Sequence, residues 1–401
     1  MEWIEKTLGE LGDIVGGATP STKHEEYYGG DIAWITPKDL SLFKGRYISC
    51  GERSITEAGL ASCSAQMMPS NTVLFTSRAP IGYVAIARQS VCTNQGFKSV
   101  VPHECVDSLF LYYLLKFNKE RIEAMGSGTT FKEVSGKTMK AVQVRIPCKI
   151  EDQKKIASIL DSIDSKIENN AKINDNLQQQ AQAIYQSLFV SFDGIPTNQL
   201  IDSELGLMPV GWTVKSLSEV TTSIRTKVQD NDYKVLSAIN TGQLQLSEEH
   251  FNKQVFSKNI SNYIVVEPFD FAYNPARINI GSIGMNTLGL TGCVSPVYVV
   301  IRTEPGYHHF FDFFVKTKRF SEEVKTRASG SVRQSLNYVD FGQIKVAYPP
   351  IDAVERFNRE YTVRLKIMEQ LKTENEKLVS IRDSLLPKLM SGEIDVSDVK
   401  L

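Results

Sequence analysis

Apolar residues recur in alternating steps of four and three along two long stretches, and this spacing constrains the fold more than any other feature of the 401-residue chain. In the first stretch Ile156, Leu160, Ile163, Ile167, Asn170, Asn174, Leu177, Ala181, Ile184 and Leu188 hold the repeating positions. Neither Pro nor Gly interrupts Glu151 to Asp193, so the pattern predicts a helix of about 40 residues, roughly 60 Å long. The second stretch carries Phe357, Tyr361, Arg364, Met368, Leu371, Asn375, Leu378, Arg382, Leu385 and Leu389, with Leu365 and Ile381 beside the two arginines. A sustained mean spacing of 3.5 residues marks a coiled-coil seam, whereas an ordinary amphipathic surface helix is usually shorter. Amides in such a seam fix its register when they bond each other. An antiparallel alignment that sets Asn170 against Asn375 also sets Asn174 against Leu371. These three asparagines are therefore expected to specify register, the alternative being solvated positions on the helix surface.

A second feature is an internal repeat. Trp3, Leu8 and Glu10 recur as Trp212, Leu217 and Glu219, an offset of 209. Pro69, Arg78, Ile81 and Gly82 recur as Pro268, Arg277, Ile280 and Gly281 at an offset of 199, and Ser127-Gly128, Val144 and Pro147 recur at 202. The order of the anchors is kept while the sequence between them differs, which points to a duplicated unit. Each copy is followed by one long helix. The globular parts, 1–150 and 193–350, read as mixed strand and helix, separated by helical stretches 151–192 and 351–401. Within the first, Val73 to Thr76 and Tyr83 to Ala87 read as strands about a turn at Ala79-Pro80, and Ser108 to Ala124 as a helix.

The rest of the sequence excludes more than it offers. Lys and Arg number 45 against 46 Asp and Glu, so any nucleic-acid surface must be local. The longest apolar runs are too short to span a membrane, and Met1 to Glu5 lacks the features of a signal peptide, so a cytoplasmic, membrane-free chain is expected. The six cysteines form no CxxC pair and read as free thiols, mostly packing residues. Asn274-Pro275-Ala276 lacks the second Pro and the aromatic of an adenine methyltransferase motif. Gly136-Lys137-Thr138 lacks the leading glycine of a phosphate loop, which is Phe131 here. His308, His309 and Asp312 have no further ligands nearby in sequence and read as surface residues. No catalytic residue and no metal site is expected.

The motifs resemble those of the DNA-specificity subunit of type I restriction–modification enzymes over essentially the whole chain. The resemblance rests on Trp3, Leu8-Gly9-Glu10, Gly16-Gly17-Ala18-Thr19-Pro20-Ser21, Trp34-Ile35-Thr36-Pro37-Lys38-Asp39, Ser77-Arg78-Ala79-Pro80-Ile81-Gly82 and Thr93-Asn94-Gln95-Gly96-Phe97. The C-terminal Leu385-Leu386-Pro387-Lys388-Leu389-Met390-Ser391-Gly392-Glu393-Ile394 is similar as well. The second copy departs from this pattern, with Asn274-Pro275-Ala276-Arg277 where Thr76-Ser77-Arg78 stands in the first and no Thr-Pro-Ser loop after Trp212.

The resemblance implies an α+β chain with two tandem target-recognition domains separated by two long helices that form an antiparallel coiled coil. Each domain would read one half of a split, asymmetric site in double-stranded DNA. The helices would space the half-sites and dock two methyltransferase subunits and the restriction subunits. It implies no cofactor on this chain; S-adenosylmethionine, ATP and magnesium would belong to partner subunits. A fragment of a fused restriction–methylation enzyme and a coiled-coil scaffold without DNA specificity are the alternatives.

Candidate DNA contacts are basic, hydroxyl and amide side chains of the motif loops. Arg78 and Arg277 suit phosphate or guanine, or a structural ion pair. Asn94 and Gln95 suit adenine, or cap the turn into Gly96. Thr19, Ser21, Lys23 and Lys38 suit backbone contacts, with Arg225, Lys227, Asn240 and Thr241 as counterparts. Lys132, Arg333 and Gln334 follow the Ser-Gly loops and belong either to the same surface or to solvated loops.

Overall fold

The structure is a computed structural model that describes every residue except Ala79, 129–131, Asn240, 251–255, Lys258, 329–334 and 400–401. Contacts divide the chain into two units, Met1–Asn174 with Gln370–Leu401 and Asp175–Glu369. Both boundaries fall inside the long helices, Ile150–Gln186 and Ile351–Ser391.

In the first unit, strand Trp3–Thr7 pairs antiparallel with Gln143–Pro147. Thr7 then starts the short helix Leu8–Leu11 with a capping box: its amide donates to the Glu10 carboxylate at 2.7 Å and its hydroxyl at 2.9 Å, which satisfies helix-start donors that would otherwise be orphaned. A five-stranded sheet follows in the order Gly12–Gly16, Lys98–Pro102, Val73–Phe75, Val84–Ala87, Tyr47–Ile48, beside a three-stranded sheet Ser54–Ile55, Tyr28–Ile35, Cys92–Thr93. The expected helix from Ser108 to Ala124 is two, Ser108–Phe117 and Lys119–Ala124. Asn118 breaks it by turning its amide back onto the Leu114 carbonyl, 2.8 Å away. Phe110, Leu111 and Leu114 pack on Val73 and Phe75, and the same core takes in Ile156 and Leu160 of the first long helix and Leu389, Met390 and Val396 of the chain's end.

The second unit repeats the plan. Thr213–Ser216 pairs with Lys345–Tyr348, and Ser216 with Glu219 forms the matching capping box of Leu217–Val220. Its sheet has eight strands in the order Thr221–Ile224, Val299–Thr303, Phe271–Tyr273, Ile283–Met285, Gln243–Leu246, Lys234–Ile239, Gly292–Val294, Ile264–Val266. The chain beyond Ile224 hydrogen-bonds Tyr263 and Val265, which joins the first strand of this order to the last. The core is aromatic: Tyr185 and Phe189 stack among Phe310, Phe313 and Phe357.

The helices pair antiparallel in each unit. In the first, the buried Asn170 donates to the Asn375 carboxamide oxygen at 2.9 Å and to Glu374 at 2.7 Å, and Asn375 donates to the Ile167 carbonyl at 3.2 Å. The expected register pair is present. The Asn174 carboxamide oxygen, like that of Asn170, is buried without a hydrogen-bond partner among the described residues. Further along, Asp164 meets Arg382 at 2.9 Å, so positions fall on one helix as they rise on the other. In the second unit Tyr185 and Phe189 both meet Phe357. The first helix does not stay α-helical to Asp193: Ser187–Ser191 forms a π turn and Phe192 ends it at φ 57°.

Three smaller expectations are corrected. His309 is buried and packs edge-on against Tyr361, and so is no surface residue. Only Cys92 and Cys293 are buried, while Cys50, Cys105 and Cys148 are exposed. Asp312, expected at the surface beside the histidines, is buried as well.

Candidate nucleic-acid interface

Strand register gathers the motif loops of the first unit at one edge of its sheet. Gly16 pairs with Lys98, and Phe75 with Val84, so the segments beyond them, 17–21, 93–97 and 76–83, leave the sheet on the same side. Gly17 makes this possible: a Cβ there would lie 2.2 Å from the carbonyl oxygens of Thr93 and Asn94. The Ala18 amide donates to the Thr93 carbonyl at 3.0 Å, and the Trp34 indole to the Ala18 carbonyl at 3.1 Å. Thr19 consequently bonds the side chain of Gln95.

Asn94 caps its own turn, its carboxamide oxygen accepting from the Gly96 amide at 2.9 Å. The Gly96 carbonyl in turn accepts the Ser77 amide at 2.7 Å, beside Arg78. Pro37 packs on Gly96 and starts the helix Pro37–Leu42 behind a capping box of Thr36 and Asp39. Lys38, on its first turn, reaches Glu52 at 2.6 Å, with both side chains about two-thirds exposed; such a pair is weakly held and open to exchange for a phosphate. Arg78 lies 3.8 Å from Glu133, and Lys98, which the motifs did not single out, 3.5 Å from the same carboxylate. Ser21, Lys23 and Lys132 are exposed on adjoining segments. The nearest signal for Lys98 was its position directly after Thr93-Asn94-Gln95-Gly96-Phe97.

The second unit has the corresponding edge. Ile224 pairs with Val300 and Tyr273 with Val299, which places Arg225 and the Asn274–Arg277 turn at one end of the sheet. Ser282 donates to the Ala238 carbonyl at 2.9 Å, bringing the 239–243 turn with exposed Thr241 beside them. Arg277 is exposed, and Asn274 caps its turn by accepting the Ala276 amide at 3.0 Å. Lys227 donates to Asn262 at 3.1 Å. Asn240, Arg333 and Gln334 lie outside the described residues. Both units fasten the arginine turn in one way. Val134 donates to the Ser77 carbonyl, and Leu336 to the Pro275 carbonyl, each from the segment that follows the Ser-Gly loop.

Among the described residues, no group of three His, Cys, Asp or Glu is placed to hold a metal, and no helix is long and apolar enough to cross a membrane. The arrangement is a duplicated α+β unit with polar, partly basic loops at one sheet edge, each copy carried on paired long helices. That is the build of a sequence-recognition subunit.

Residues 1–179 match the family described as the type I restriction modification DNA specificity domain. The Type I restriction enzyme MjaIX specificity subunit of Methanocaldococcus jannaschii is 32% identical, over 99% of this chain and 95% of that protein. The HindI specificity subunit of Haemophilus influenzae is 24% identical over 71% and 77%. The crystal structure of the type I S subunit from M. genitalium has the same fold, with a TM-score of 0.59 at 17% identity over 97% and 96% of the two chains. The chain belongs to the family of type I restriction enzyme specificity subunits.

Proposed function

We propose that residues 1–150 and 193–350 are two target-recognition domains, each reading one half of a bipartite, asymmetric site in double-stranded DNA. The long helices, 151–192 and 351–401, fix the distance between half-sites and dock two methyltransferase subunits and the restriction subunits. The chain itself catalyses nothing; S-adenosylmethionine, ATP and magnesium belong to its partners, and the assembly works in the cytoplasm. The observation that carries this reading is the repeat of one framework, from capping box to returning strand, with different loops on its exposed edge. A conserved mount with altered contacts suits two different base sequences. In it Arg78 and Arg277 take guanine or phosphate, Gln95 and Thr19 form one polar contact, and Ser21, Lys23, Lys38, Lys132, Arg225, Lys227 and Thr241 hold the backbone.

Removing one heptad from each long helix tests it. Seven residues at 1.5 Å rise amount to about 10 Å, or about 3 base pairs at 3.4 Å each. Methylation mapping with the assembled complex should then show both half-sites unchanged and the gap between them shortened. Altered half-sites with an unaltered gap would refute the reading.

A further inference from the structure

A cavity of about 250 Å³ in the first unit is lined by Lys44, Lys116 and Lys119, with Gly45, Gly82 and Tyr112 among its walls. No carboxylate lies within ion-pair distance of any of the three lysines among the described residues. Lys116 instead points its ammonium at the Tyr112 hydroxyl, 3.4 Å away. The second copy shows what a neutralised version looks like. There Lys316 stands two residues past the end of the helix His308–Phe314, and Asp312, four residues before it as Tyr112 is before Lys116, bonds the ammonium at 2.8 and 2.9 Å. The first unit thus keeps a positive surplus that the second cancels.

Three ammonium groups line one hollow, so an anion that enters it is attracted by all three. Burial first, and then the Arg382 guanidinium, depress the Lys116 ammonium below its usual value, while Asp164 and Asp383 act in the opposite sense from farther off. Gly82 lets the Lys119 stem pack close against the backbone on the cavity wall. At Gly82 the φ is +93° and an added Cβ would meet the Lys119 stem at 2.4 Å.

The cavity's position names the anion. Tyr47 pairs in parallel with Ile86, and Val84 opposes Phe75, so Lys44 and Gly82 leave the sheet on the edge that also carries Arg78. Lys44 follows the helix Pro37–Leu42, whose first turn bears Lys38. We propose that the Lys44–Lys116–Lys119 cavity anchors a backbone phosphate of duplex DNA beside the recognition loops. This rests on the reading of the first unit as a DNA-recognition domain. A phosphate held here fixes the domain on the duplex and carries no sequence information.

The test compares the wild-type complex with one containing the double variant K44Q/K119Q, and with K172Q, which removes one lysine charge from an exposed position on the first long helix. Duplex affinity is measured against salt for cognate and scrambled DNA. Both lysines serve one phosphate, and a lost phosphate contact lowers the slope of log affinity against log salt by about 0.9, which removes roughly three- to fourfold of the drop between 50 and 200 mM. The expected result is weaker binding of both duplexes, a shallower slope for the double variant, an unchanged slope for K172Q, and an unchanged methylated sequence. The single variant K44Q, at an exposed position, should lower the slope by part of that amount without touching the core. A wild-type slope in the double variant, or a loss confined to cognate DNA, would overturn the anchor. Failure of the wild-type complex to prefer cognate DNA would instead overturn the reading of the unit.

Discussion

Replacing Arg46 with Met should loosen the first unit from its long helix. The guanidinium is buried and donates to the Asp161 carbonyl at 3.1 Å, to Ser165 at 2.9 Å, and to Glu168 at 3.0 and 3.3 Å, besides an ion pair with the Asp161 carboxylate. Its backbone amide also donates to Glu168 at 3.1 Å. Removing one partner of a fully buried pair costs about 3–5 kcal/mol. Here Asp161 and Glu168 remain 33% and 26% exposed, so water recovers part of their lost solvation, and Met fills the space of the aliphatic stem. The remaining cost is about 2–3 kcal/mol. Since every 1.4 kcal/mol is tenfold, hydrogen exchange at residues 161–168 should accelerate roughly 30- to 100-fold. Residues 84–87 should follow, because the Ile86 amide donates to the Arg46 carbonyl at 2.7 Å. Combining the change with Glu168→Gln should give a loss smaller than the two single losses together by about 1 kcal/mol or more. Unchanged protection, or strictly additive losses, would show that Arg46 does not hold the helix.

Three further outcomes are expected. Glu10 is held down to about 2 by the Thr7 amide first, then by Lys6 and the Thr7 hydroxyl, against an ordinary 4.5; its contribution should be complete above pH 4.5 and lost as pH falls toward 2, and a carboxyl resonance titrating above 4 would contradict the capping box. His309 is depressed from 6.5 to about 4 by burial, with His308 adding to it. The unfolded chain therefore binds a proton first, and the second unit should lose about 3 kcal/mol as pH falls through that window; His309→Phe should abolish the dependence, and an imidazole titrating near 6.5 would exclude it. Gly17→Ala should keep the far-ultraviolet spectrum but weaken duplex retention at least tenfold, because the new methyl displaces 17–19 from the Thr93 and Asn94 carbonyls; wild-type retention would remove that loop from the interface.

The coiled coil was legible because its period is local to each stretch, and one amide on each side was enough to fix register. Its flaw was legible too, without its meaning. Arg382 breaks the apolar stripe, yet it sits at 2.9 Å from the buried Asp164, which also accepts the Tyr113 hydroxyl at 2.8 Å. Partners over 200 residues apart leave no spacing to read, and neither do Arg46 and Glu168 at 122. The break at Asn118 turns on one side-chain bond to the Leu114 carbonyl, which competes with the helix rather than following its period. The loop residues were found as motifs, but whether each faces solvent or serves the fold was not. Asn94 and Asn274 both cap turns, while Arg78 and Arg277 differ in that, among the described residues, only the first has a carboxylate partner within 4 Å, Glu133.

That division follows from where free energy is spent. The repeated features, Thr7 and Glu10 with Ser216 and Glu219, the paired strands, and the segments returning to Ser77 and Pro275, all satisfy backbone donors that have no other partner. Substitution there destabilises the unit whatever it reads, so the two copies have little freedom to differ. The Tyr112 and Asp312 positions differ because either satisfies the lysine one turn on, at opposite consequence for local charge. Those residues at the sheet edge that neither cap a turn nor brace a loop answer to solvent and ligand, and their divergence between copies is the freedom a subunit needs to recognise two unlike half-sites with one fold.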